Sequence, residues 1–181
     1  MRLPSKARID GKDYPINTDY NVALRCFDVI DDPDIGDTER ALAVIFLLFG
    51  VVPDNHADEF LQAAQKFLSC GDPQEEHQAR KKDMDFRQDE RYIAASFRSD
   101  YGIDLQHLEH MHWWEYCMLI NGLTDQCVLN RVRDIRNFDL STLSDPRSRQ
   151  DMAEAQERVR LHDRLTADEQ AAIDEFEALF L

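Results

Sequence analysis

Apolar residues along most of this chain recur at three- and four-residue intervals, the spacing that gathers them on one face of an α-helix. Val22, Cys26, Val29 and Ile30 share such a face in a segment that Thr18 can cap and that the Asp31 to Asp37 stretch, with Pro33 and Gly36, brings to an end. From Thr38 to Phe49 the next helix is apolar all round after Arg40, which predicts a central, buried position. Beyond Pro53 a third helix starts near Asn55, with Ala57, Phe60, Leu61, Ala64, Phe67 and Leu68 in register, and Gly71 and Pro73 close it. Ile93, Ala94, Phe97 and Tyr101 form another stripe that stops at Gly102. The run from Trp113 to Ile120, ended by Gly122, has Glu115 as its only charge, and Val128, Leu129, Val132 and Ile135 carry the pattern to Asn137.

The two ends of the chain read differently. Ala7-Arg8-Ile9 and Tyr14-Pro15-Ile16 flank Asp10-Gly11, the pair that favours a type I′ hairpin turn, with Lys12 and Asp13 lengthening the loop. Pro146 introduces a helix over about Arg147 to Arg164 whose apolar stripe is thin (Met152, Ala155, Val159) and which can place Glu154 against Arg158 at i,i+4. Thr166 and Glu169 form a capping box for a last helix with Ile173, Phe176 and Phe180 on one side. The expected fold is therefore mainly α, a helical bundle with a short N-terminal β-hairpin. Residues 1–140 read as the helical core domain with that hairpin, and residues 141–181 as a C-terminal helical pair, docked or protruding. The polar stretch from Gln74 to Asp83 reads as a surface segment.

Composition narrows the function classes. The chain has 181 residues, 36 acidic and 21 basic, for a formal charge of −15; that argues against binding nucleic acid through its phosphates, which needs a clustered cationic surface. Met1 to Lys12 has no apolar core of a signal peptide, and the longest uncharged apolar run, Ala41 to Val52, would span only ~18 Å as a helix, short of a bilayer. Cys26, Cys70, Cys117 and Cys127 are scattered, with no C-x-x-C pair, and read as buried thiols in a cytoplasmic protein.

Few residues suggest catalysis. His107, His110 and His112 lie together beside Glu109 and Glu115, but the order H-L-E-H-M-H fits neither H-E-x-x-H nor H-x-x-E-H. His107 and His110 could hold a metal ion at i,i+3, yet no fourth ligand is evident. Asp83, Asp85 and Asp89 match neither a calcium loop nor a glycosidase pair and read as a helix start. No glycine-rich phosphate loop or nucleophile elbow occurs. The expectation is no enzyme, no cofactor and no metal. Two features point to protein binding instead. Arg131, Arg133 and Arg136 form a basic patch suited to an acidic partner segment or to pairing within the chain. The last helix carries five acidic residues and no basic one from Thr166 on, with Ile173, Phe176, Leu179 and Phe180 available to dock on its own bundle, on a partner or on a second copy.

The blocks A-R-I-D-G-K-D-Y-P-I-N-T-D-Y, D-F-R-Q-D-E-R-Y-I-A-A-S-F-R-S-D-Y-G-I-D-L and H-W-W-E-Y-C-M-L-I-N-G-L, continued by R-V-R-D-I-R-N-F-D-L, resemble the bacteriophage gene-product-fifteen family over roughly Ala7 to Leu140. The resemblance implies a non-enzymatic tail-assembly protein of a phage or prophage, made in the cytoplasm of the bacterial host and acting as a chaperone. Its implied partners are tail proteins, the tape-measure protein first and the major tail protein second. Two other readings stand beside this one. An acidic DNA mimic would inhibit a host DNA-binding protein, but the net charge is −3 over residues 1–52, −4 over 53–100, −3 over 101–140 and −5 over 141–181, so no segment concentrates it. A metal-binding enzyme would use the histidine cluster.

Overall fold

The computed structural model describes residues 3–71, 82–169 and 171. It is mostly helical, with one N-terminal antiparallel hairpin, in the order β1 (Lys6–Ile9), β2 (Lys12–Pro15), α1 (Tyr20–Ile30), α2 (Asp37–Phe49), α3 (Ala57–Leu68), α4 (Glu90–Tyr101), α5 (Trp113–Asn121), α6 (Val128–Asn137), a 3-10 turn at Leu140–Thr142, and α7 (Pro146–Arg158). The chain divides into two compact units. The first comprises Met1–Glu75, His110–Glu115 and Asp163–Leu181, and the second Glu76–Glu109 and Tyr116–His162. Helix α5 contributes its first three residues to the first unit and the remainder to the second.

In the first unit the hairpin loop is tighter than expected. Ile9 pairs with Lys12 and Arg8 with Asp13, so Lys12 and Asp13 belong to the second strand and the loop is Asp10-Gly11 alone. Both residues have left-handed φ (44° and 71°), the geometry a two-residue type I′ loop demands. Helix α1 is capped by Asp19, not Thr18: the Asp19 carboxylate accepts the Asn21 N–H at 2.9 Å. The Thr18 carbonyl is engaged elsewhere, accepting the Trp113 N–H at 2.8 Å, next to the Asp19–His112 bridge. Tyr20, Ala23 and Cys26 form the buried stripe of α1, while Ile30 reaches the surface.

Helix α2 departs from the fully buried position its composition predicts. Val44, Ile45, Leu48 and Phe49 are buried, but Phe46 is 55% exposed. A helix that is apolar all round can still turn one side outward when only its neighbours on the other side cover it. Helix α3 buries Phe60, Ala64, Phe67 and Leu68, and its last carbonyls are met from outside the helix. The indole Nε1 of Trp113 donates to the Leu68 carbonyl at 3.0 Å, and that of Trp114 donates to the Phe67 carbonyl at 2.8 Å. Trp113 thus satisfies a carbonyl that the helix C-terminus leaves over, and Trp114 adds a second donor to the Phe67 carbonyl, which also accepts the Cys70 N–H.

The second unit is held by α4 against α6, with the later part of α5. Phe97 stacks on Tyr116 at 5.3 Å, and the Tyr101 hydroxyl donates to the Leu119 carbonyl at 2.8 Å. Ser96 is fully buried; its hydroxyl donates to the Tyr92 carbonyl and accepts the Leu129 N–H, one of the unpaired donors in the first turn of α6. Helix α7 ends at Arg158, not at Arg164. The Val159 carbonyl, which a continuing helix would bond internally, accepts Nε of Arg136 at 2.5 Å instead. Farther on, Gln88 donates to the His162 carbonyl and accepts its N–H, so this stretch is tied in as irregular chain. Thr166 and Glu169 do form the reciprocal cap, with the Thr166 N–H on the Glu169 carboxylate and the Glu169 N–H on the Thr166 hydroxyl.

Gly71 supplies one test of this architecture. Its φ is +81°, and an added Cβ would lie 2.9 Å from Cη2 of Trp114. Gly71→Ala should therefore lower stability by about 1–3 kcal/mol, through left-handed strain and displacement of the indole from the α3 carbonyl. A urea unfolding midpoint unchanged from the parent chain would show that the Trp114 contact is not rigid.

Candidate functional site

Helices α1, α2 and α3 enclose an open apolar groove of about 470 Å³ in the first unit. Phe27 and Ile30 come from α1, Ala41 and Val44 from α2, and Leu61 and Leu68 from α3, with Asp37, Arg40, Gln65 and Ser69 supplying polar atoms. The sequence builds this concavity by setting small residues, Ala41 and Ala64, between larger ones on facing helices. Arg40 fixes one corner. Its guanidinium donates to the carbonyls of Val29, Asp32 and Ile35 and pairs with Asp37 at 2.6 Å, tying the end of α1 to the start of α2. A groove of this kind offers a bed for an apolar helix face and few polar anchors for a small molecule.

Cys26 is buried in the same unit, where burial pushes its thiol up to about 12, so it is inert as a nucleophile. Of the four cysteines, Cys26 and Cys127 are buried, whereas Cys70 and Cys117 are half-buried.

The arginine patch is dispersed by the fold. Arg136 is nearly buried and meets the fully buried Asp89 on both carboxylate oxygens at 2.7 Å, while also donating to the Asp83 and Val159 carbonyls. Arg133 pairs with the Asp83 carboxylate at 3.2 Å and donates to Asn130. Arg131 is exposed. Two of the three arginines are thus engaged within the second unit. The residues that sequence reasoning missed are their partners. Asp89 precedes α4 as its N-cap, yet its carboxylate makes no cap and serves Arg136 and the Asp85 N–H. Asp85 instead closes the preceding turn, accepting from the Arg87 and Gln88 N–H groups and from Lys82. Burial pushes the Asp85 carboxyl up, but Lys82 and the two N–H groups outweigh it and hold the pKa below the ordinary aspartate value. The available signal was the acidic run D-M-D-F-R-Q-D just ahead of α4 and the basic R-V-R-D-I-R in α6, complementary charges that a turn and a helix can bring together.

The histidines do not form one constellation. His107 bonds Asp104 at 3.0 Å, and His110 lies 3.4 Å from the Thr18 hydroxyl. The buried His112 bonds the Pro4 carbonyl through Nε2 at 2.9 Å and accepts the Trp114 N–H at Nδ1, so both ring nitrogens serve structure. Among the described residues no group of three or more His, Cys, Asp or Glu is placed to hold a metal ion. Nor is any described helix long and apolar enough to cross a membrane. Ile173, Phe176, Leu179 and Phe180 lie outside the described residues.

A sequence model of the family described as bacteriophage Gp15 protein matches residues 2–161. No curated protein and no solved structure matches the chain. The match covers the groove and the arginine–aspartate cluster and stops short of the capped C-terminal segment.

Removing Arg136 strands a buried carboxylate. Arg136→Met should cost about 3–5 kcal/mol of unfolding free energy, and pairing it with Asp89→Leu should recover much of the loss. If the double variant is as unstable as the single one in urea, packing around the pair, and not charge burial, sets the penalty. A second expectation concerns acid. Because the folded Asp85 pKa is depressed, its stabilisation is complete above the ordinary aspartate pKa and disappears as pH falls through the folded value. The stability gap between the parent chain and Asp85→Ala, measured by denaturant titration, should be full at pH 7 and narrow only below about pH 4.

Proposed function

Because the chain belongs to the bacteriophage Gp15 protein family, we propose that it is a non-enzymatic tail-assembly protein of a phage or prophage, a chaperone that binds the tape-measure protein during tail morphogenesis. Family membership is the observation that carries this reading. Two physical features support it. A chaperone for a long helical client needs an apolar bed for helices, and the groove between α1, α2 and α3 fits that need. It also needs to stay dispersed beside an aggregation-prone partner, and a charge of −15 favours solubility. The client helix enters the groove against Phe27, Val44, Leu61 and Leu68. The exposed Arg131 and the last helix, with Ile173, Phe176, Leu179 and Phe180, are further contact residues in this proposal. The major tail protein is a second client, and the work takes place in the bacterial cytoplasm.

Co-expression tests this directly. A fragment of the tape-measure protein encoded beside this chain should stay in the soluble fraction when the full chain is present and precipitate when it is absent. Equal precipitation in both cases would remove the chaperone role. Leu61→Glu, which sets a carboxylate in the groove, should abolish the solubilisation while circular dichroism stays that of the parent chain.

A further inference from the structure

The groove and the start of the C-terminal segment belong to the same unit. Three hydrogen bonds hold that start beside the groove's Arg40 corner. Arg164 donates to both the carbonyl and the carboxylate of Asp28, in the helix that supplies Phe27 and Ile30. The Ala167 N–H then donates to the carboxylate of Asp34 at 2.8 Å, in the short loop that leads to Asp37 and Arg40. The Thr166–Glu169 cap starts a helix at that place, and Ala167 to Glu169 are helical. The sequence beyond continues with Ile173, Phe176 and Phe180 at helical spacing, acidic residues between them and no basic one.

From these observations we infer that the groove of α1, α2 and α3 is occupied in the free chain by the chain's own C-terminal segment, residues 172–181. Reach and chemistry agree. Ile173 and Phe176 stand six and nine residues beyond Ala167, and chain of that length can bridge up to about 20 and 30 Å when extended. The groove runs along α2 from Asp37 to Val44, seven residues or about 10 Å at ~1.5 Å per residue, so both residues are within reach of it. Their side chains match its apolar lining, and a stripe of Ile and Phe left in water would forgo the burial that the groove offers. A segment tethered a few residues away also has the advantage of high effective concentration over any free partner. The C-terminal segment therefore acts as a built-in competitor that an incoming helix must displace. This docking stands whether or not the incoming helix belongs to a tail protein.

The test places p-benzoyl-phenylalanine at Phe176 of the full chain, with irradiation at low protein concentration and peptide mapping by mass spectrometry. The expected product is an adduct within one chain to peptides of α1, α2 or α3, lost when Leu61→Glu is added. Adducts to residues 82–162, adducts only between two copies, or no adduct at all would each overturn the inference. Amide hydrogen exchange gives an independent reading on Phe176→Asp: residues of α2 and α3 that line the groove should exchange faster than in the parent chain. Unchanged exchange there would likewise overturn it.

Discussion

The Asp89 carboxylate is withdrawn from water altogether, and a charge so placed is tolerable because Arg136 meets both of its oxygens. The guanidinium comes from the last turn of α6. It also takes up the Asp83 carbonyl ahead of α4 and the Val159 carbonyl at the close of α7. Three segments distant in sequence are thus referred to one planar group whose donors point in fixed directions. A hydrophobic contact among the same segments would tolerate a shift of a few tenths of an ångström. A bidentate pair in a dry site would not, because any slip exposes an unpaired charge to a low dielectric. The pair sets where the second unit's helices must stand, and the apolar contacts of Phe97, Tyr116 and Leu129 fill the space that this leaves.

The first unit obeys the same demand with different chemistry. Its exposed problem is backbone carbonyls at helix ends. Arg40 gathers those of Val29, Asp32 and Ile35 at the α1–α2 corner, and the indoles of Trp113 and Trp114 take those of Leu68 and Phe67 at the end of α3. Because the adjacent tryptophans each bring one donor on a large apolar body, the end of α3 is satisfied and packed by the same side chains. With three helix ends pinned from outside, the groove between their shafts can remain open without the helices collapsing into it.

Much of this was legible in the chain. The hairpin at Asp10-Gly11, the helices as far as α7 and the Thr166–Glu169 cap follow from local rules that operate within a few residues, and the structure has them in place. Boundaries that depend on distant groups were not legible. Asp19 and not Thr18 caps α1, with the Thr18 carbonyl taken by Trp113 and its hydroxyl beside His110, and α7 stops at Arg158, where Arg136 takes the Val159 carbonyl. The outward turn of Phe46 escapes composition for a related reason, since an all-apolar helix has no polar face to report which side is uncovered. Asp83 and Asp89 look like any acidic helix start until the arginines opposite are known. Periodicity identifies faces, whereas partners across a fold are set by tertiary placement.

The distribution of charge completes the physical picture of the candidate site. Several arginines that sequence presents as free cations are matched to carboxylates inside their own unit: Arg40 with Asp37, Arg133 with Asp83, Arg136 with Asp89 and Arg164 with Asp28. Each such pair cancels locally, so the excess of acid that remains is spread along the chain, every quarter of which is net negative. Two copies approaching groove to groove would bring these fields together, at a cost that a less acidic partner would not meet. An open apolar groove on a neutral protein invites indiscriminate association. On this one a charge of −15 raises the cost of bringing copies together, while the groove keeps the apolar lining that a helix face requires.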